Sequence, residues 1–305
     1  MIQRRRDVET PGVNTSKLSS SDLNELADLA IVAACEAGRM VAQSRPGEVQ
    51  RKAGAHSFAS QVVTEIDRRS EQLIVDVRTP TLKRFGLGLL AEEQYDDGSR
   101  MVADYFWCID PLDGTLSFIE DSPGYAVSVA LVRRDGAPQI GVVYDPTDAT
   151  LLHAVSDAGA FHNGVAWPAD PQPDGEVLSV FADRSFLDLD DHDVIVESLD
   201  QIAQDMGLGG HRLHTGRGAV MNACGVLSHP PACYFKNAKP VGGGSLWDFA
   251  ATACLFREVG AVATDISGRP LDLNRKDSTF MNHHGVLFAT DDALATQIQA
   301  LHPVS

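Results

Sequence analysis

Asp110, Asp113 and Thr115 stand close together in the stretch W-C-I-D-P-L-D-G-T-L-S-F, from Trp107 to Phe118. Two carboxylates on a tight turn, followed by Gly114 and a hydroxyl where a helix can begin, suit a hard divalent cation held beside backbone N–H groups that bind phosphate. The apolar run Tyr105 to Ile109 predicts a buried strand. Pro111 cannot donate to a sheet ladder and restricts the residue before it, so the strand is expected to stop at Asp110 with its carboxylate at the carboxyl end. Asp-Pro and Asp-Gly are also ordinary turn dipeptides, so this stretch alone does not decide for a metal site.

Other carboxylates strengthen that chemistry. Asp67 and Glu71 are four residues apart in a predicted helix and share a face. Ala91-Glu92-Glu93 follows a short apolar run, Phe85 to Leu90, that reads as a strand. Two strands that each finish in a carboxylate are what a shared cation site requires. Asp248 falls in the first turn of a helix beginning S-L-W-D-F-A-A, with Ser245 as its cap. An acidic residue there is also a plain helix-dipole partner.

The elements that must position these groups can be read along the chain. Residues 1–20 are polar and predict a flexible tail. A helix follows with Ser21 as its cap, with Leu26, Ala30, Ala33, Ala37 and Met40 on one face, ending near Arg45-Pro46-Gly47. Lys52 to Val63 reads as a loop or hairpin, after which Thr64 caps a helix whose buried side is Ile66, Leu73 and Val77. Beyond Phe118 an antiparallel meander is expected over Tyr125–Val132, Ile140–Tyr144 and Thr150–Val155. Pro168 to Gly175 connects to a second half, in which strands and helices alternate. Its landmarks are strands at Val177–Ala182, His211–His214 and Ala232–Phe235, the turn Thr215 to Gly218 (T-G-R-G), and the glycine loop Gly242 to Gly244. The division is therefore a tail over 1–20, an α+β half over 21–170 carrying most candidate ligands, and an α/β half over 171–305 carrying Asp248 and the specificity loops.

Composition narrows the function. The 305 residues are 44% hydrophobic, enough for a sizeable core. Lys plus Arg total 25 against 42 Asp plus Glu, a net charge of −17, and the one basic run is Arg4-Arg5-Arg6. That balance argues against a nucleic-acid polymer as partner. An acidic protein that handles an anionic substrate needs cations to offset the repulsion. Cys35, Cys108, Cys224, Cys233 and Cys254 include no C-x-x-C pair and sit mostly in apolar runs, as buried free thiols of a reducing compartment do. With no apolar stretch of about eighteen residues and no apolar signal core, a cytoplasmic protein without a membrane partner is expected. His283-His284 is the best support for a His-ligated hydrolase, but neighbours on a strand point to opposite faces, and exposed loop histidines are the simpler reading.

Four motifs together resemble the inositol monophosphatase family of Mg²⁺-dependent, lithium-sensitive phosphomonoesterases. They are V-T-E-I-D-R-R-S-E (Val63–Glu71), A-E-E (Ala91–Glu93), D-P-L-D-G-T (Asp110–Thr115) and L-W-D-F-A-A (Leu246–Ala251), and the match spans Leu23 to Thr290. The resemblance implies a layered αβαβα sandwich like that of inositol monophosphatase and fructose-1,6-bisphosphatase, commonly a homodimer. It implies about two or three Mg²⁺ ions, with Mn²⁺ as a substitute, held by Glu92, Asp110, the Leu112 carbonyl, Asp113 and Asp248. Asp67 would serve a further metal and, with Thr115, orient the attacking water, while Glu92 is the general-base candidate. Asp113, Gly114, Thr115 and Asp248 would meet the substrate.

Departures bear on the substrate. Leu116-Ser117-Phe118 lacks the asparagine or glutamate usual after the central signature, and Ala91 replaces a glycine. Where inositol-specific members carry a glutamate that grips sugar hydroxyls, this chain reads Y-F-K-N-A-K-P-V-G-G-G, so Lys236 or Lys239 can meet a second phosphate, as can Arg217 of the T-G-R-G turn. The stretch D-I-S-G-R-P-L-D-L-N-R-K-D-S resembles the bisphosphate nucleotidase branch. Inositol monophosphate and adenosine 3′,5′-bisphosphate thus stand level as substrates. A fructose-1,6-bisphosphatase-like or histidinol-phosphatase-like enzyme, or a non-catalytic metal- and phosphate-binding relative, stays open.

Overall fold

The computed structural model describes residues 17–44, 56–167, 176–240 and 242–301, with the backbone alone over 56–64. The N-terminal tail before residue 17, the end of the first helix at Arg45-Pro46-Gly47 and the connection Pro168 to Gly175 lie outside the described residues.

The first helix, α1 (Ser20–Gln43), begins where a capping box can close. Ser19 rather than Ser21 is the cap: its backbone N–H donates to Asp22 Oδ2 (2.9 Å) and its hydroxyl accepts from the Asp22 N–H (3.2 Å). The second helix, α2 (His56–Phe85), corrects two expectations. His56 to Val63 is helical rather than a loop, so Thr64 lies inside the helix, and the helix passes through Pro80 to reach Phe85. Its inward face carries Ile66, Asp67, Ser70, Glu71, Ile74 and Arg78, with Leu73 and Val77 only partly buried.

Two sheets follow. The first runs β1 (Gly88–Ala91), β2 (Tyr105–Asp113), β3 (Ala126–Arg133), β4 (Pro138–Asp145), β5 (Thr150–Val155), β6 (Gly159–His162) and β7 (Val165–Ala166), in that order. Only β1–β2 is parallel; the rest is the antiparallel meander. The short helix α3 (Thr115–Ile119) follows β2, and α4 (His192–Asp205), α5 (Ala219–Ser228), α6 (Leu246–Val259) and α7 (Asp292–Ala300) belong to the later part of the chain. The second sheet has the order β11 (Val262–Thr264), β12 (Val286–Ala289), β10 (Ala232–Lys236), β8 (Leu178–Phe181) and β9 (His211–His214).

Period-two alternation distributes side chains between layers. On β2 and β3, Trp107, Ile109, Val127, Val129 and Leu131 pack with α1 and α2. Phe106, Cys108, Ala130 and Val132 face α5, α6 and the near face of the second sheet, including Phe181, Tyr234 and Phe288. The far face of that sheet, with Val180, Cys233 and Leu287, packs under α4 and α7. The layers therefore run α, β, α, β, α, which is why the central strands are buried on both sides. All five cysteines are free, four of them buried. Among the described residues no helix is long and apolar enough to cross a membrane.

Two strand boundaries differ most from expectation: Phe85 closes α2, so the strand expected from Phe85 to Leu90 begins only at Gly88 and runs to Ala91, and β2 runs past its expected end. β2 does not stop at Asp110 but pairs with β3 to Asp113, with a register shift between the two aspartates. Pro111 is accommodated because it falls in the bulge, where no ladder N–H is required.

Gly141 marks the closest approach of α6 to β4: a Cβ there would lie 2.2 Å from the Ala251 carbonyl oxygen and 2.9 Å from Cys254 Cβ. Gly141→Ala is expected to destabilise the protein by about 1–3 kcal/mol through overpacking, read as a lower urea midpoint at unchanged slope. An unchanged midpoint would contradict the close contact.

Candidate active site

The parallel register of β1 and β2 explains how two carboxylates meet. Ala91 pairs with Ile109, so the next residues, Glu92 and Asp110, lie side by side where β1 ends and β2 continues along β3. The Glu92 N–H donates to the Ile109 carbonyl (3.2 Å). The bulge then returns the chain so that Asp113 also faces the site. Asp248 arrives from the other side, in the first turn of α6, where its Oδ2 accepts the Ser245 N–H at 2.9 Å in a capping box. One carboxylate oxygen from each of Asp110, Asp113 and Asp248 lies within 4.8 Å of the others.

Backbone donors, rather than cations, hold these groups. Asp110 Oδ1 accepts the Leu112 N–H (3.0 Å). Asp113 accepts the Ala219 and Val220 N–H groups at 3.1 and 2.9 Å, at the start of α5, where a helix N-terminus favours negative charge. This contact gives the T-G-R-G turn its meaning: a Cβ on Gly218 would sit 2.1 Å from Asp113 Oδ2. Gly244, with φ +86°, is similarly constrained, since a Cβ there would lie 2.7 Å from Asp248 Oδ2. The Thr115 hydroxyl donates to the Leu112 carbonyl (3.2 Å), placing both groups at the turn.

Helix α2 staples the two carboxylate loops. Ser70 donates to the Pro111 carbonyl (2.8 Å), and Glu71 accepts the Glu93 N–H (2.8 Å). Sequence reading missed both roles, although each residue shares the inward face with Asp67. Asp67 itself is buried, and its Oδ1 has no hydrogen-bond partner among the described residues. Arg78 is 1% exposed and lies over the Trp107 ring, 4.7 Å from its centroid, and its guanidinium has no hydrogen-bond partner among the described residues. Burial lowers its pKa to about 9, against the pull of Glu71, so it stays charged at neutral pH.

Crowding shows in the acidities. Burial, followed by Glu93, Glu92 and Glu71, raises Asp67 to about 8. Glu92 keeps an exposed flank, but its carboxyl end meets Asp110, and it rises to about 7. Burial is again the largest cause, with Asp248, Glu93 and Glu71 adding to it against the lowering effect of the Asp110 hydrogen bond. Asp110 and Asp113 stand well above the usual carboxylate range, both chiefly through burial, to which Glu92 and then Asp113 add at Asp110, and Asp248 adds at Asp113 against the Val220 and Ala219 N–H groups. Asp248 is also raised by burial, opposed by the Ser245 N–H and the Lys236 ammonium. Hard, all-oxygen donors, a buried carboxylate oxygen without a partner among the described residues, and pKa values raised by burial and like charge fit divalent cations.

The sequence-predicted cations are placed differently. Lys236 is not free: its Nζ lies 2.6 Å from Asp183 Oδ2. Arg217 does not join the triad; its guanidinium lies over the Phe181 ring at 5.4 Å, in a separate cavity with Asp145 and His229. Lys239 is exposed at the rim of the cavity that Lys236 lines. His283 and His284 lie on a turn, not a strand, and their rings meet at 4.2 Å instead of diverging.

A family model described as the inositol monophosphatase family matches residues 22–301. Inositol monophosphatase 2 of Mus musculus is 27% identical over 256 residues, covering 82% of this chain and 83% of that protein. The fructose-1,6-bisphosphatase/inositol-1-monophosphatase of Thermotoga maritima is 27% identical over 256 residues, 80% of this chain and 85% of its own length. Nus factor SuhB of Escherichia coli (strain K12) is 29% identical over 252 residues, 81% and 87% of the two chains. An inositol monophosphatase structure from Anabaena (Nostoc) sp. PCC 7120 shares the fold, with a TM-score of 0.69 at 24% identity over 93% of this chain and 98% of that one.

The raised pKa values set a pH dependence. A carboxyl whose folded pKa exceeds its unfolded value holds a proton that the unfolded chain releases above about pH 4. Its penalty therefore grows as pH rises toward the folded value, here up to about 8 for Asp67. In chelator, the contribution of these groups lowers the melting temperature from pH 5 to pH 8, and Mg²⁺ is expected to raise it more at pH 8 than at pH 5. A Mg²⁺ response that is absent, or larger at pH 5, would contradict the cation site.

Proposed function

Because this chain belongs to the inositol monophosphatase family, we propose that it is a Mg²⁺-dependent phosphomonoesterase that transfers the phosphoryl group of a small phosphorylated metabolite to water. The observation that carries this reading is the triad of buried Asp110 and Asp113 and half-buried Asp248, within 4.8 Å, flanked by Glu92 and by Asp67, whose Oδ1 has no hydrogen-bond partner among the described residues. Glu92, Asp110, the Leu112 carbonyl, Asp113 and Asp248 are assigned as metal ligands, with Asp67 on a further ion. Bound Mg²⁺, or Mn²⁺ in its place, supplies charge neutralisation at the phosphoryl oxygens and acidifies water.

The chain's own groups do the rest. The amides of Gly114 and Thr115 receive phosphoryl oxygens, as helix N-termini do. Thr115, with Asp67, orients the attacking water. Glu92, at about 7, is the general-base candidate, and ligation competes for the same oxygens. Inositol monophosphate and adenosine 3′,5′-bisphosphate are the first substrates to test, ahead of other sugar phosphates. The same reading includes halves over 21–170 and 171–305, a cytoplasmic homodimer and lithium inhibition.

Phosphate release is expected only with Mg²⁺ or Mn²⁺ in a panel of inositol 1-phosphate, adenosine 3′,5′-bisphosphate and fructose 1,6-bisphosphate. Asp113→Asn is expected to lower kcat by roughly 10²–10³-fold or more while far-UV circular dichroism stays unchanged, since an amide oxygen can still accept from the start of α5. Retained turnover with unaltered Mg²⁺ dependence would rule the site out.

A further inference from the structure

Arg78 is a cation that the proposed chemistry leaves without a task. It sits on the inward face of α2, about two turns after Glu71. Both side chains are closed off from water, and none of the three guanidinium nitrogens has a hydrogen-bond partner among the described residues. The guanidinium meets the Trp107 ring and feels the attraction of Glu71. Trp107 is fixed in turn, its Nε1–H donating to Thr81 Oγ1 at 3.2 Å. An arginine buried in this way costs stability that an apolar side chain of similar length would not. Packing alone does not account for the residue, whereas a task that needs its charge does.

Glu71 shows what that task is. Its Oε2 accepts the Glu93 N–H at 2.8 Å, and its carboxylate also accepts from the Gln94 side chain. Glu93 and Gln94 are the two residues after Glu92, so Glu71 fixes the loop that brings the Glu92 carboxyl to Asp110. Glu71 also has a competing attraction. Asp67 lies four residues earlier on the same helix face, and a carboxylate at that spacing can turn towards any cation Asp67 holds. The Arg78 charge, on the other side of Glu71, pulls against that turn.

We propose that Arg78 is a positioning residue of the cation site: its charge keeps Glu71 as the acceptor of the Glu93 N–H and so fixes Glu92 beside Asp110. The inference rests on the reading of Glu92 as a metal ligand. Arg78 itself touches neither the ions nor the substrate. Two effects of removing it have opposite signs. Taking a buried positive charge away from an acidic cluster makes cations bind more tightly by Coulomb's law alone. Losing the Glu71 anchor makes them bind more weakly, because the Glu92 loop must then be ordered on binding.

The test titrates the full chain with Mn²⁺, following the free ion by electron paramagnetic resonance, and measures melting in chelator. Arg78→Met is expected to weaken Mn²⁺ binding about tenfold, as loss of an outer partner of a ligand does, while the melting temperature in chelator holds or rises. Arg78→Lys should recover most of the affinity. Glu71→Leu, which removes the acceptor, should weaken binding to a similar extent, and adding Arg78→Met to it should cost little more, since both act on one loop. Unchanged or tighter Mn²⁺ binding in Arg78→Met overturns the proposal. So does a loss of affinity that comes with a lower melting temperature and that Arg78→Lys does not recover, which marks a packing role. A wild type that binds no Mn²⁺ overturns the cation site as well, whereas wild-type binding that Arg78→Met leaves intact overturns the role of Arg78 alone.

Discussion

Like charge gathered in a buried place is the constraint on which the structure depends. Asp67, Glu71, Glu92, Asp110, Asp113 and Asp248 converge from α2, the ends of β1 and β2, and the start of α6, with Lys236 the cation that tempers Asp248 and Arg78 lying below Glu71. Such an arrangement raises the pKa values and costs stability in proportion. The fold can hold it because the groups are fixed by backbone N–H donors at Leu112, Ala219, Val220, Glu93 and Ser245, which belong to elements anchored in the core. Burial of both faces of the first sheet between helices supplies that anchorage.

Each element around the site has a geometric reason to be there. The parallel β1–β2 pair delivers Glu92 beside Asp110, the bulge brings Asp113 round, and glycines at 218 and 244 let the starts of α5 and α6 approach the carboxylates. Helix α2 ties the two loops together through Ser70 and Glu71.

Much of this was legible in the sequence because it is local. The D-P-L-D-G-T turn, the A-E-E strand end and the Ser245–Asp248 cap each announce themselves within a few residues, and the meander and later strands fall close to their expected places. The strand end at Asp110 was misplaced because a bulge absorbs Pro111 without ending the ladder. Lys52 to Val63 reads as a loop or hairpin from its polar, glycine-containing pattern, yet the backbone from His56 onward is helical. The partners of Lys236 and Arg217 were invisible for a different reason: Asp183 and Phe181 are remote in sequence, and only the second sheet brings them alongside. The family model over residues 22–301 establishes the family.

The central claim is that the acidic cluster exists to hold divalent cations. Anomalous diffraction from crystals of the full chain soaked in Mn²⁺ tests it most directly. Peaks are expected between Asp110, Asp113 and Asp248, with a further one reaching Asp67, and their loss in Asp113→Asn crystals would tie them to the triad. A map with no peak among these carboxylates at millimolar Mn²⁺, in crystals whose triad is ordered and open to solvent, would contradict it.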